Sequence, residues 1–358
     1  MASVDAHHPA HAHGAKRKAI LYIGNMFSRQ HRGVTVIEIL GPCLEERYEV
    51  HYASARRSRL MRLAEMLGTI IALRHRVSVV LIDTYSTLSF LYALIAARLC
   101  RLFSIPYIPI LHGGNLPSRL ERSPRASADL FHHAHINVAP SAYLQRAFRR
   151  RDYPVIRIPN IIALDDCPFR RRDACRPRLL YVRGFAAVYN PLMAVRVLAQ
   201  LLTHYPDADL CMIGPDRDGM LEAAKGLAAR LGCADRITFT GQLDKRDWHH
   251  RSEDYDILVN TPDFDNMPVS VIEAMALGLP VVSTNPGGIP DLIEDGTDGL
   301  LVPCGDAQTM AERIGYLVEN PDVAVALADN ARRKAELFDW RVVKSLWFEL
   351  LDQIPDAA

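Results

Sequence analysis

The sequence predicts an α/β protein built of two Rossmann-like domains that face each other across a cleft. Three observations predict it. Short β-branched runs alternate with longer helical patterns from Ala19 onward, the signature of a parallel sheet covered by helices on both faces. The alternation stops between Ala163 and Arg178, where LDDCPFRRRDACRPR is charged, proline-bearing and without period, and it resumes afterwards. At 358 residues and 49% hydrophobic composition, the chain has apolar surface for two ordinary cores.

Residues 1–18 (MASVDAHHPAHAHGAKRK) put polar histidines where a secretory signal needs an apolar run, and they read as a disordered tail. His7, His8, His11 and His13 have metal-binding side chains, but nothing around them orders them, so a solvated tail is the simpler reading. The first domain, 19–165, offers six strand candidates: AILYIGN, YEVHYAS, VSVVLID, PYIPILHGGN, HINVAPS and VIRIPN. Within it, Thr84–Ala97 is uncharged but ends at Arg98 and Arg101, well short of the roughly 20 residues a bilayer span needs, so a buried helix is expected. The basic, partly amphipathic segment Ala55–Arg76 reads as an ordinary domain helix with a solvated arginine face, or as a helix that docks on anionic lipid. The first is the simpler.

A linker is expected over 166–177. The second domain, 178–338, offers RLLYVRG, ADLCMIGPD, RITFTGQL, DILVNTP, LPVVSTN and DGLLVP as strands. In 339–358 a terminal helix is expected from the amphipathic run FDWRVVKSLWFELL, with Trp340 and Trp347 as packing anchors.

The net charge of +1 conceals an asymmetry. Residues 1–165 hold 22 Lys+Arg against 11 Asp+Glu, or +11, and the remainder holds 20 against 30, or −10. A basic first half suits a phosphate-bearing acceptor or an anionic membrane surface. The seven cysteines are odd in number, scattered and never spaced CxxC, which points to neither a disulfide framework nor structural zinc and fits a reducing, cytoplasmic setting. No nucleic-acid partner is expected.

In open α/β sheets ligands bind beyond the carboxyl ends of the strands, so two facing domains put the substrates between them. A dehydrogenase is disfavoured, because no strand leads into GxGxxG; the loop Gly24-Asn-Met-Phe-Ser lacks the later glycines. The informative segment is Thr261–Pro303. There DILVNTP enters the loop Asp263–Pro268 and then the helix VSVIEAMALG, with Pro268 suited to the first helical position and Gly278 to the end. A helix start after a strand and loop is an anion-binding geometry. Glu273, one turn in, is suited to accepting hydrogen bonds from vicinal hydroxyls, and Asp265 on the loop can do the same for a second sugar ring.

The run DNMPVSVIEAMALGLPVVSTNPGGIPDLIEDGTDGLLVP resembles the signature of the family 4 retaining glycosyltransferases, which have the GT-B fold. In that family two Glu separated by seven residues define the donor site; Asp265 and Glu273 stand at those positions, the first one methylene shorter. The resemblance implies that Glu273 binds the ribose, Asp265 the donor sugar, and Asn266, Met267, Pro268 and Val269 shape the loop and helix start. It also implies that Arg183, in YVRGFAAVYNPLMA, contacts the donor diphosphate, while the family's second cation is replaced by neutral Val188 or Asn190. Gly214 and Leu243 resemble the family's glycine turn and the stretch beside the base, and His112 in ILHGGNLP resembles its histidine near the reacting sugar.

These likenesses imply a metal-independent hexosyltransferase of glycan or glycoconjugate biosynthesis that needs no cofactor beyond its nucleotide-sugar co-substrate. It would move the sugar, from UDP foremost, to a glycan, lipid-linked, phosphorylated or small-molecule acceptor. It would be cytoplasmic or peripheral at the inner membrane face. The resemblance implies that no metal is required. A non-catalytic GT-B scaffold and a GT-B sugar-nucleotide epimerase are the alternatives.

Overall fold

The computed structural model describes residues 17–26, 35–53, 58–87 and 89–357. The tail histidines His7, His8, His11 and His13, Phe27 and Ser28 of the first loop, and Ala55–Arg57 lie outside them.

The first domain runs β1 (Ala19–Ile23), α1 (Val36–Leu44), β2 (Glu49–Ala53), α2 (Arg59–Leu73), β3 (Val79–Thr84), α3 (Ser89–Leu102), β4 (Tyr107–Leu111), α4 (Leu116–Arg122), α5 (Pro124–Phe131), β5 (Asn137–Ala139), α6 (Ala142–Arg149) and β6 (Val155–Arg157). The second runs β7 (Arg178–Val182), α7 (Pro191–Leu201), β8 (Asp209–Ile213), α8 (Met220–Arg230), β9 (Ile237–Gly241), α9 (Lys245–Arg251), β10 (Ile257–Asn260), α10 (Val269–Ala276), β11 (Val281–Thr284), α11 (Ile289–Leu292), β12 (Leu300–Val302), α12 (Ala307–Glu319) and α13 (Pro321–Ala335). A last helix, α14 (Trp340–Asp352), follows. Each of the twelve strand candidates coincides with one of the strands, β3 running one residue past its candidate to Thr84.

The strands form two six-stranded sheets, ordered β2-β1-β3-β4-β5-β6 and β12-β11-β10-β7-β8-β9, parallel throughout their pairings. Burial on both faces explains why the strands read as apolar runs rather than alternating ones: all of AILYI in β1 and all of VVLIDT in β3 are buried. Alternate residues supply opposite faces. Leu21, Ile23, Val80 and Ile82 enter one core, and Ile20, Tyr22, Val79 and Leu81 the other. The second sheet divides in the same way, with Leu179, Tyr181 and Met212 on one side and Leu180, Cys211 and Ile213 on the other.

The second core of the first domain is completed by α14. Val343, Trp347, Leu350 and Leu351 are buried in it beside Ile20 and Tyr22. Tyr48 donates to Asp352 at 2.8 Å, and Trp340 Nε1 donates to Glu46 at 2.9 Å. Asp339 caps α14 by accepting from the Arg341 N–H at 2.8 Å and also accepts from the Leu164 N–H at 3.1 Å, so one carboxylate pins both chain crossings between the domains.

Two sequence expectations are corrected here. Pro268 is the residue before α10 rather than its first residue, with extended backbone at φ −70° and ψ 121°. The segment read as a helix with a solvated arginine face has Arg62 buried and bonded to Asn25 Oδ1 at 2.8 Å, while Leu60, Met61 and Ile71 are exposed, Leu60 by 80%. Thr84–Ala97 falls largely within α3, whose Phe90, Ala93, Leu94, Ala96 and Ala97 are buried. Among the described residues no helix is long and apolar enough to cross a membrane. All seven cysteines are free thiols.

Candidate functional site

Chain order reverses between β7 and β10 in the second sheet and between β1 and β3 in the first. At such switch points the loops leaving adjacent strands diverge to opposite faces and open a crevice. Arg183 directly follows β7, the loop 261–268 follows β10, Gly24 follows β1, Asp83 lies at the end of β3, and His112 directly follows β4. The two switch points meet where Gly114, two residues past His112, packs against the Asp265 backbone.

Arg183 forms an ion pair with Asp265, both side chains being largely buried. Its guanidinium lies over the Tyr189 ring, 4.2 Å from the centroid. Burial opposes the charge, but Asp265 and the neighbouring phenols outweigh it and hold the guanidinium above its ordinary pKa. Arg183 is held there by glycine chemistry. Its N–H donates to Ile213 O at 3.0 Å, and at Gly214, with φ +156°, a side chain would run into the Arg183 carbonyl.

The Asp265 backbone is enclosed in the same way. Gly288 N–H donates to its carbonyl at 3.2 Å, and a Cβ on Gly287 or on Gly114 of the first domain would strike it. The ILHGGN turn therefore sits directly against the loop 263–268. His112, 6% exposed, meets Asp83 Oδ1 at 2.7 Å, and Tyr22 OH donates to the same oxygen at 3.0 Å. Tyr85 packs on His112 with ring centroids 5.0 Å apart. Burial, together with the charge of Asp83, pushes the Tyr85 phenol well above its ordinary pKa.

Glu273 is 3% exposed. Its carboxylate meets Lys245 Nζ at 2.6 Å and faces His249 Nε2 at 3.9 Å, while His249 Nδ1 bonds to Asp166 O at 2.8 Å. Burial alone would raise its pKa; His249 and Lys245 more than offset this and lower it. Thus the structure joins Arg183, Asp265, Gly214 and, through Gly114, the His112 turn, whereas Glu273 anchors a second cluster with Lys245 and His249.

Other expected donor residues have structural employment. Asn190, in left-handed conformation at φ 44° and ψ 57°, caps α7 through Met193 N–H at 3.2 Å and bonds Asp263 at 3.3 Å. Asn266 accepts from Ser141 Oγ of the first domain, and the Met267 carbonyl accepts from Asn160 Nδ2 at 2.7 Å, so this loop staples the domains together. Leu243 and Val269 pack partly buried against the core around α10. Among the described residues no group of three His, Cys, Asp or Glu is placed to hold a metal.

Asp83, Tyr85, Tyr189, Lys245 and His249 escaped the sequence reading. Asp83 carried a usable signal, a carboxylate at the carboxyl end of a buried strand. The others are brought in by tertiary packing.

Residues 170–334 match the family model described as glycosyl transferases group 1. Among curated relatives, a D-inositol 3-phosphate glycosyltransferase of Streptomyces scabiei is 32% identical over 192 residues, covering 48% of this chain and 42% of the relative. One of Corynebacterium jeikeium is 28% identical over 199 residues, covering 52% and 47%. The chain thus spans less than half the length of these relatives. In fold, the sucrose-phosphate synthase of Thermosynechococcus elongatus matches with TM-score 0.81 at 20% identity, covering 94% of this chain and 99% of that one. Anabaena HepE in complex with UDP-glucose matches at 0.74 and 18%, covering 93% and 99%.

Proposed function

We propose that this GT-B chain is a glycosyltransferase of the family 4 type, transferring a hexose from a UDP-sugar with retention at the anomeric carbon. The group 1 match over its second domain and the solved structure of similar fold that holds UDP-glucose support the reading. The observation that carries it is the Arg183–Asp265 pair at the switch point of the second sheet, with the His112 turn of the first domain packed against the Asp265 loop.

The pair is arranged for an exchange of partners. Donor diphosphate takes the Arg183 guanidinium, and sugar hydroxyls take the Asp265 oxygens, so each buried charge keeps a partner. The N-terminal peptide groups of α10 add positive potential on the same side. As the anomeric C–O bond to the diphosphate breaks, the acceptor oxygen bonds to that carbon on the same face. The acceptor proton passes to the departing phosphate oxygen. Arg183 stabilises the charge building on that oxygen, and His112, oriented by Asp83, borders the sugar from the first domain. These residues call on no metal. Glu273 binds the ribose by trading its bond to Lys245.

The acceptor is read from the first domain. Its basic character and the outward apolar stripe of α2, with Leu60, Met61 and Ile71 beside Arg74 and Arg76, support a protein resting on an anionic membrane and a lipid-linked or phosphorylated acceptor.

Nucleotide release from a panel of nucleotide sugars tests the proposal. Arg183→Ala is expected to lower kcat about 10²–10³-fold, the usual cost of one lost donor at the developing charge. No release from any donor by the unaltered protein would leave a non-catalytic scaffold, and sugar isomerisation without transfer would indicate an epimerase.

A further inference from the structure

The first domain concentrates basic side chains at one end. Its sheet sets β3, β4, β5 and β6 side by side and parallel, so the turns that lead into them line up at the end away from His112 and the switch point. These turns, 74–78, 103–106, 132–136 and 150–154, read RHRVS, FSIP, HHAHI and RRDYP. They hold four Arg and four His against one Asp, so no acidic stretch interrupts them.

The four turns are knit into one row. Arg74 lies over the Phe103 ring, 5.8 Å from its centroid, and joins the first turn to the second. His135 N–H donates to Tyr107 O at 3.0 Å, tying the third to β4. Asn137 Nδ2 donates to Phe131 O at 3.0 Å and to Pro154 O at 2.8 Å, and the His132 and Tyr153 rings meet edge-on at 4.7 Å, which joins the third to the fourth. Ser104 and Asp152, both left-handed at φ 55°, turn the chain sharply after α3 and α6. Ile105 N–H reaches back to Cys100 O at 2.9 Å, and Tyr153 N–H to Phe148 O at 3.2 Å. The end of α6 thereby presents Arg149, Arg150 and Arg151, all exposed, on a fixed frame.

Arg76 meets Glu49 at 3.7 Å and Arg101 meets Asp129 at 2.6 Å, whereas Arg149, Arg150 and Arg151 form no ion pair among the described residues. Like charge gathered on a fixed frame repels itself, and an anionic ligand relieves that repulsion. Neighbouring strands lie about 4.8 Å apart, so the row extends about 15 Å. Cations repeated along such a row match a linear chain with repeated anionic groups. Among the described residues, Leu102 beside the row is its one exposed large apolar side chain, so recognition here is electrostatic, unlike the apolar insertion of an interfacial helix.

We propose that this end of the first domain is a docking surface for a linear anionic glycan, apart from the cleft. The inference rests on the glycosyltransferase reading for the kind of polymer. It goes beyond that reading by giving the glycan a second contact at the opposite end of the sheet from the chemistry.

The test is titration calorimetry of the full chain at low salt with a heparin dodecasaccharide, a polyglutamate peptide of equal charge and neutral dextran of equal length, each protein's fold checked by thermal midpoint. The dodecasaccharide is expected to bind and neutral dextran not to. Arg149→Gln with Arg150→Gln and Arg151→Gln should weaken the dodecasaccharide about tenfold, as for three exposed charge contacts together. Arg74→Gln with Arg76→Gln, at the far end of the row, should weaken it as well. Arg122→Gln with Arg125→Gln and Arg157→Gln, elsewhere on the same domain, should leave it within twofold. No binding of the dodecasaccharide, or a loss below twofold in either row variant, overturns the inference. An equal loss in the variant away from the row also overturns it, since binding then follows net charge. Tighter binding of polyglutamate overturns it in favour of an acidic protein. Loss of sedimentation with phosphatidylglycerol vesicles in the α6 variant, with its glycan affinity unchanged, overturns it in favour of a membrane. Nucleotide release from nucleotide sugars, measured on the same samples, is expected to be equal in the α6 variant and the unaltered protein. Its absence from the unaltered protein overturns the reading on which the inference rests, whatever the glycan titration shows.

Discussion

Glu273 shows how one buried carboxylate shapes its neighbourhood. Charged groups are kept in apolar surroundings only with partners, and Lys245 and His249 fill that role on α9. Because the folded-state pKa is held below the ordinary value of 4.5, the ion cluster contributes stability above that pH and loses it as pH falls through the folded pKa. Glu273→Gln is therefore expected to cost about 1.5–3 kcal/mol at pH 7, the range for a hydrogen bond to a charged group. The deficit should shrink steadily below pH ~4.5 as the unaltered carboxylate protonates. Urea unfolding of both proteins at a series of pH values measures it, and a gap independent of pH would refute the assignment. Glu273, Asp265 and Arg183 were legible one by one in the sequence because they lie next to strand ends or a helix start. That Arg183 meets Asp265 while Glu273 meets Lys245 was not, since those partners are 82 and 28 positions away in the chain.

At the scale of elements, α2 departs furthest from its sequence reading. Periodicity identified a partly amphipathic helix, but two opposite faces compete for burial when arginine and leucine alternate, and the fold resolved this by burying Arg62 against Asn25. The face left outside carries Leu60, Met61 and Ile71, followed by Arg74 and Arg76. Apolar contact plus attraction to anionic headgroups, about 1 kcal/mol per basic residue near the surface, suits an interfacial helix. The full chain is expected to sediment with phosphatidylglycerol vesicles and to remain in solution with neutral phosphatidylcholine vesicles. Leu60→Ser combined with Ile71→Ser should abolish the difference; equal recovery in the supernatant with both lipids would dismiss membrane docking. The other elements carried clearer signals. Twelve runs became strands, the central ones such as β1, β3, β4 and β10 buried on both faces and the edge strands β2, β6 and β9 only partly so, and Gly278, at φ +79°, closes α10 where a side chain would meet the Arg170 carbonyl.

For the whole molecule, the return of α14 to the first domain decides how the halves are held. Trp347 is 2% exposed within the core beneath β1 and β3, although it lies at the far end of the chain. Trp347→Ala is expected to destabilise the protein by about 3–5 kcal/mol, the usual cost of truncating a buried aromatic side chain. Chemical denaturation followed by tyrosine and tryptophan fluorescence checks this, and a change below about 1 kcal/mol would mean that α14 is an accessory rather than part of the core. Further fastening comes from Arg146 with Asp291 at 3.1 Å and Asn160 with the Met267 carbonyl at 2.7 Å. Local order along the chain was enough to determine two parallel α/β domains and the place of their strands, because hydrophobic period, turn residues and helix ends act within a few neighbours. Tertiary structure alone decided which side chains share the cleft, which of the expected donor residues became domain staples, and which face of α2 met solvent. Those outcomes follow from where strands cross and reverse order, and crossings bring together residues whose separation in sequence carries no information about their distance in space.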